Sequence, residues 1–206
     1  MRHAVNAMPD RLKTGCRWKM VPKDFGIPWE TVSNRHETFA RLGTWERVRR
    51  ALAATARVAD GRDPNPSLPS IDSRTVKSAE TATGTGFDPG KKRTGRKRHA
   101  LVDSLGPAFA VTVTAASVSD ADGADSSCRR DTLDADLTAA GAQYRRVIVS
   151  ELPGQTTFVP QPKRWRVERD FSRLRDNQLL AREYEGRAMI SRSNVCLRSV
   201  MWTISE

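Results

Sequence analysis

The sequence predicts a mixed α/β chain. A helical N-terminal region precedes a core of three early strands followed by helix, strand and helix. Three observations predict this. Apolar residues recur at helical spacing over 29–52, a proline cluster follows, and the next stretch is rich in β-branched residues before an amphipathic helix. With 206 residues the chain is long enough for one domain and a small appendage, although 38% apolar residues make it lean in core material.

Composition excludes several classes. No run of about 18 or more apolar residues is present, so no membrane span is expected. The first residues, MRHAVNAMPDRLKTG, lack the apolar segment of a secretory signal. Cys16, Cys128 and Cys196 are far apart and odd in number, which speaks against a disulfide scaffold or a zinc ribbon and for a reducing cytosol. Lys plus Arg number 35 against 24 Asp plus Glu, a net charge of +11, and nucleic acid is the default partner for such an excess.

Residues 1–59 read as the helical region. Trp29, Val32, His36 and Phe39 form one apolar series, and Trp45, Val48 and Leu52 a second. Pro28 suits a helix start and Gly43 a helix end, so two helices joined at Leu42–Thr44 are expected. They form either a plain hairpin or a small helix-turn-helix, and no base-reading residues can be named. Residues 60–70, with Pro64, Pro66 and Pro69, read as a linker, because each proline fixes φ and removes a donor.

The core is expected over 71–186. Ile71, Thr75 and Val76 favour a strand carrying Asp72, residues 78–95 read as a loop, and 98–103 with 108–115 read as a hairpin turning at Ser104–Pro107. A helix over Asp120–Ala142, a strand over 145–150 and a proline-rich loop follow. Val167, Phe171 and Leu174 then lie at i, i+4 and i+7, the stripe of an amphipathic helix. The tail, 187–206, reads as weakly helical.

Three constellations could carry chemistry. Residues 91–99 hold six cations, Lys91, Lys92, Arg93, Arg96, Lys97 and Arg98, with no acid among them. Such a run is either a solvated loop or a phosphate-contact site; six contacts would give a salt slope of roughly −5. Leading into a strand favours the second, since a rigid flank positions charge. A second cluster, Arg164, Arg166, Arg169, Arg173 and Arg175, surrounds Glu168 on the amphipathic helix. Helical spacing sets Glu168 on one stripe with Arg164 and Arg175, where it is either an ion-pair partner of Arg164 or a functional carboxylate. Asp72, disfavoured in a strand, is either a strand-end cap or a hard oxygen ligand for Mg²⁺.

Taken together these segments resemble the bacterial DDE transposases of the insertion sequence 5 branch, within the broader IS4-like group. The blocks are 15–48, 71–125 and 158–185. The middle one is the most specific: D-S-x-x-V-K, G-K-K-x-x-G-R-K-R-H and D-x-D-G-A occur in order, and R-W-x-V-E-R follows later. The resemblance implies a ribonuclease H-like core, with three antiparallel strands and then helix, strand and helix. It implies three carboxylates that gather two Mg²⁺ or Mn²⁺ ions. Carried over, Asp72 is the first ligand and Glu168 the last. The implied reaction is cleavage at transposon ends, then attack of 3′ hydroxyls on target DNA. Lys91, Lys92, Arg93, Arg96, Lys97, Arg98, Arg164 and Arg169 become candidate DNA contacts. Double-stranded DNA is the implied partner, a homodimer is left open, and the implied location is the bacterial cytoplasm at the nucleoid.

The chain departs from the family at the second Asp. Near its expected place the sequence reads TAAGAQYRRV, where Ala140, Gly141 and Tyr144 resemble a motif without its acid. Glu151 is a weak substitute, and Asp134 and Asp136 have no motif around them. Only one strand stands where two are expected. The core is therefore read as incomplete, the chain as a truncated or internally deleted copy, and the enzyme as defective or very weak. The alternative is a non-catalytic, DNA-binding remnant.

Overall fold

The structure, a computed structural model, describes residues 1–64, 70–102, 108–123 and 164–205. Expectations for the Ser104–Pro107 turn, the strand at 145–150, most of the Asp120–Ala142 helix and the acids Asp134, Asp136 and Glu151 lie outside these residues. The N-terminal region holds α1 (Arg2–Thr14), two 3₁₀ turns (Trp18–Met20 and Lys23–Phe25), α2 (Trp29–Leu42) and α3 (Thr44–Ala59). Next come β1 (Ser70–Lys77), β2 (Gly86–Asp88), β3 (Arg93–Val102) and β4 (Ala108–Ala115). The described chain closes with α4 (Arg164–Arg175), α5 (Gln178–Ala181) and α6 (Ala188–Ser205).

The predicted helix boundary is reproduced. Gly43 adopts φ 63°, and its N–H closes α2 onto the carbonyls of Phe39 and Ala40 while it also caps α3. A left-handed residue at this position is strained for any side chain bearing a Cβ, so glycine is required by the turn itself. Within α2 the spacing finds the buried face, since Val32 and His36 are buried and Trp29 and Phe39 pack on the core.

β3 is the centre of the sheet. It pairs antiparallel with β1 along one side, in the register Asp72↔Ala100 and Arg74↔Arg98, and with β4 along the other. Its first residues also pair with β2, a three-residue strand inside the segment expected to be a loop. That segment is rich in Thr and Gly, whose low apolar content hides so short a strand from periodicity. Because strand side chains alternate, Asp72, Arg74 and Val76 share one face with Arg96, Arg98, Ala100, Val111 and Val113. Ser73, Thr75, Lys97 and His99 share the other.

The first face carries the main core. Ala100, Val102 and Val111 meet Phe171 of α4, Leu179 and Leu180 of α5, and Val195, Cys196, Leu197 and Val200 of α6. The same cluster continues into Ala7, Met8 and Leu12 of α1, Val32 of α2 and Trp45 of α3. The N-terminal helices are thus built onto the core and are not an appendage to it. The tail read as weakly helical is the 18-residue α6, the hub against which α1, α2, α3 and β4 all lie. Its amphipathic signal is faint because the helix is surrounded: Ser191, Ser193 and Asn194 are buried as fully as its apolar residues.

Candidate active site and nucleic-acid face

Asp72 sits in β1, two residues into the pairing with β3, and is half-buried. α4 lies against β1 and β3, on the face that Asp72 shares: Phe171 and Leu174 pack beside Arg98, Ala100 and Val111. Glu168 precedes Phe171 by three residues and Arg175 by seven, so it occupies the helix stripe expected from the sequence. The structure therefore brings the strand of Asp72 and the helix of Glu168 together; the side chains of Arg164, Arg166 and Glu168 lie outside its description. Among the described residues no group of three His, Cys, Asp or Glu side chains could hold a metal ion.

The six-cation run divides into two halves. Lys91, Lys92 and Arg93 are exposed at the tip of the β2–β3 hairpin. There the Asp88 carboxylate accepts the Lys91 N–H at 3.1 Å, and Lys92 adopts a left-handed φ of 48°. Arg96, Lys97 and Arg98 are buried. The Arg96 guanidinium donates to the carbonyls of Thr83, Glu185 and Gly186, and Arg98 donates to that of Leu180 at 2.7 Å. Both pair with Glu183, at 3.4 and 3.2 Å, and the Ser191 hydroxyl completes that carboxylate. Arg96, Lys97 and Arg98 are spent inside the protein, so the phosphate-facing surface expected of all six is offered by three. Charge counted along a strand misses this, because β3 is the central strand and both of its faces are covered, burying Arg96 and Arg98 on one side and Lys97 on the other. Arg169 and Arg173 lie over the Trp202 ring, at 5.4 and 4.1 Å.

The opposite face of the sheet carries a polar, hydrogen-bonded layer. The Ser73 hydroxyl donates to Asp120 at 2.6 Å and the Thr75 hydroxyl to Asp88 at 2.5 Å. Lys97 reaches Asp120 at 2.9 Å and Asp88 at 3.9 Å. The Thr75 hydroxyl and the Lys91 N–H hold the Asp88 carboxyl below its usual range. Burial works against the charge of Asp120, but the Ser73 hydroxyl and Lys97 outweigh it and lower its pKa too. Residues from all three motifs of the middle block meet in one hydrogen-bonded layer.

His99 lies in that layer, fully buried. It is within 2.9 Å of the Thr114 hydroxyl, and Gly123 is so close that a Cβ there would fall 2.0 Å from the ring. Asp120, Lys97 and Lys91 are the charges that act on it, and burial dominates them, pushing its pKa down from 6.5 to about 4. Between those values the unfolded chain binds the proton and the folded chain does not, so His99 costs no stability above pH 6.5 and progressively more as pH falls towards 4. One proton gives a slope of at most about 1.4 kcal/mol per pH unit. Asp88 and Asp120, held below 3.8, act only at lower pH. Urea unfolding across this window should show the fall in the native chain and a shallower one in His99→Gln; equal slopes would refute the assignment.

A cleft of about 640 Å³ opens at Arg74, two residues beyond Asp72 on β1, between the end of β1, the start of β3 and the α4–α5 corner. Arg74, Lys77, Lys92, Arg93, Arg175 and Arg182 line it, and none of its lining residues is acidic. Sequence reasoning missed Arg74, Lys77 and Arg182 as a group. The available signal was the two-residue period of β1, which puts Arg74 beside Asp72 on one face.

Family comparison agrees with this architecture. Residues 1–49 match a family model ascribed to transposases of the IS4/5 family, and residues 64–152 match a transposase DDE domain. The second match spans the whole described sheet, from before β1 through β4. The chain belongs to the IS4/5-type DDE transposases. Neither the curated proteins nor the solved structures yield a match. In this transposase the antiparallel β1–β3–β4 sheet under α4 and α6 is the ribonuclease H-like core. DNA is the partner the family implies, and among the described residues no helix is long and apolar enough to cross a membrane. The DDE match includes Asp72 and the run at 91–99 and ends before α4, so Glu168 rests on the R-W-x-V-E-R motif and on the packing of its helix.

Proposed function

We propose that this transposase acts on the ends of an insertion sequence and on target DNA by two-metal phosphodiester chemistry, and that this copy is defective or very weak. The packing of the helix that carries Glu168 on the strand that carries Asp72 supports the reading, because segments 96 residues apart in sequence come together there. Asp72 offers a hard oxygen donor of the type Mg²⁺ or Mn²⁺ takes. Those ions, when bound, would polarise the phosphate and lower the pKa of the attacking oxygen's proton. Asp72 and Glu168 would be two of the ligands. Glu151, the weak substitute for the second Asp, lies outside the described residues. Two carboxylates leave much of the charge of two divalent ions unbalanced, and loss of one ligand of three cripples such a site. The chain's own contribution is positioning: Arg74, beside Asp72, draws a phosphate towards that carboxylate, and exposed Lys91, Lys92 and Arg93 hold the flanking backbone.

The second reading, a DNA-binding remnant without catalysis, is favoured by the cationic surroundings of Asp72, where Arg74 and Arg98 share its face. Two measurements separate the readings. Purified chain incubated with a labelled transposon-end duplex and Mg²⁺ or Mn²⁺ should cut at or barely above background, with any cutting abolished in Asp72→Ala. Robust Asp72-dependent cutting would refute the defect. Mn²⁺ should raise the melting temperature of the native chain more than that of Asp72→Ala, since a ligand that binds only the folded state stabilises it. Equal responses would leave the remnant.

A further inference from the structure

We infer that the cleft between the β1–β3 ends and the α4–α5 corner seats the phosphodiester backbone of the DNA strand running on from Asp72. The inference deepens the proposed function and rests on its DNA reading. Arg74 follows Asp72 by two residues on the same sheet face, about 7 Å along the strand. A phosphate held by Arg74 would therefore neighbour one placed at Asp72. Lys77, at the end of β1, and Arg182, just after α5, stand exposed at the rim. Lys92 and Arg93 extend the same line onto the hairpin tip, and Arg175 closes it from α4.

These cations gather with little compensation from the described residues. Elsewhere the protein pairs its inward charges: Arg96 and Arg98 with Glu183, Lys97 with Asp88 and Asp120, Arg11 with Glu185. In the cleft, none of the described residues that line it alongside Arg74, Lys77, Arg93, Arg175 and Arg182 is acidic. Burial and the nearby charges of Arg175, Arg98 and Arg93 push the Arg74 pKa down, and Asp72 opposes them only in part. Like charges converging on a concave surface are stabilised by an external polyanion. Cations on strand and helix ends fix its register, which a mobile tail could not do.

The test uses the full chain and fluorescent duplexes of two unrelated sequences, titrated across a salt series. Lys77→Ser/Arg182→Ser removes two exposed rim cations and leaves the core untouched; a melting curve matching the native chain verifies the fold. Removing one cation that meets a phosphate should lower the salt slope by about 1, so the pair should lower it by about 2 and weaken both duplexes alike. Lys23→Ser/Arg47→Ser, two exposed cations away from the cleft, should change it far less. An unchanged slope in the rim variant would overturn the inference and leave the cleft to an anionic protein segment. An equal reduction in the control pair would overturn it in favour of diffuse attraction. Cleft-dependent binding of an RNA duplex without binding of DNA would overturn it in favour of RNA. If the native chain binds no duplex at all, the DNA reading of the proposed function fails; if it binds and the rim substitutions leave the slope unchanged, the cleft assignment alone fails.

Discussion

Glu183→Ala should lower the stability of the protein by about 3–5 kcal/mol, the cost of removing one partner from a buried charge cluster. The Glu183 side chain is 1% exposed, that of Arg96 0% and that of Arg98 3%. Two guanidiniums would be left in the core facing no carboxylate, and the Ser191 hydroxyl would lose its acceptor. The damage would spread, because Glu183 also joins two parts of the chain through its backbone: its N–H donates to the Lys77 carbonyl at 3.0 Å, and its own carbonyl accepts from the Ala79 N–H at 2.8 Å. Urea unfolding measures the effect. A change under about 1 kcal/mol would show that Arg96 and Arg98 are satisfied by carbonyls alone. Glu183→Gln should fall between, keeping an acceptor for one guanidinium but no charge.

Gly95→Ala should be the second most damaging single change, costing roughly 1–3 kcal/mol from overpacking and at the upper end of that range. Gly95 pairs with Lys77 on one side and Gly86 on the other, at the point where β1, β2 and the start of the β4 pairing converge on β3. A Cβ there would fall 2.0 Å from the Val76 carbonyl oxygen and 2.9 Å from its carbon. The obstacle is backbone, so no rotamer change relieves it. The need for glycine is close approach of strands and not a left-handed turn. Thermal melting should show the destabilisation, and the exposed hairpin bearing Lys91, Lys92 and Arg93 should become more susceptible to proteolysis, since its base is the strained pairing. A melting temperature equal to the native one would refute the close-approach account.

Much of the architecture is legible in the chain alone. The α2–α3 boundary at Gly43 follows from one glycine after an apolar helical series; β1 and β4 follow from β-branched residues, and the second half of β3 follows from the hairpin it makes with β4, its first residues having read as loop. These are local signals with a fixed period, and burial reinforces them. The helical stripe of Val167, Phe171 and Leu174 likewise locates α4. Three features are not legible. β2 is too short for alternation to register. α6 is polar at Ser191, Ser193 and Asn194; Ser191 and Asn194 are tolerated inside because partners from elsewhere, Glu183 and His36, meet them. The third is the fate of the basic run, which reads as one surface and is divided between hairpin tip and core.

The sequence by itself determined the family, the order of the strands and the two acids worth naming, because motif order and hydrophobic period are properties of the chain read in one dimension. Only the tertiary structure decided that the helix of Glu168 lies on the strand of Asp72, that Arg96, Lys97 and Arg98 face inward, and that Arg74, Lys77 and Arg182 gather into one cleft. Those outcomes depend on which residues distant in sequence become neighbours. A charge is internal or external according to whether a carboxylate such as Glu183, 85 residues further along than Arg98, arrives to meet it.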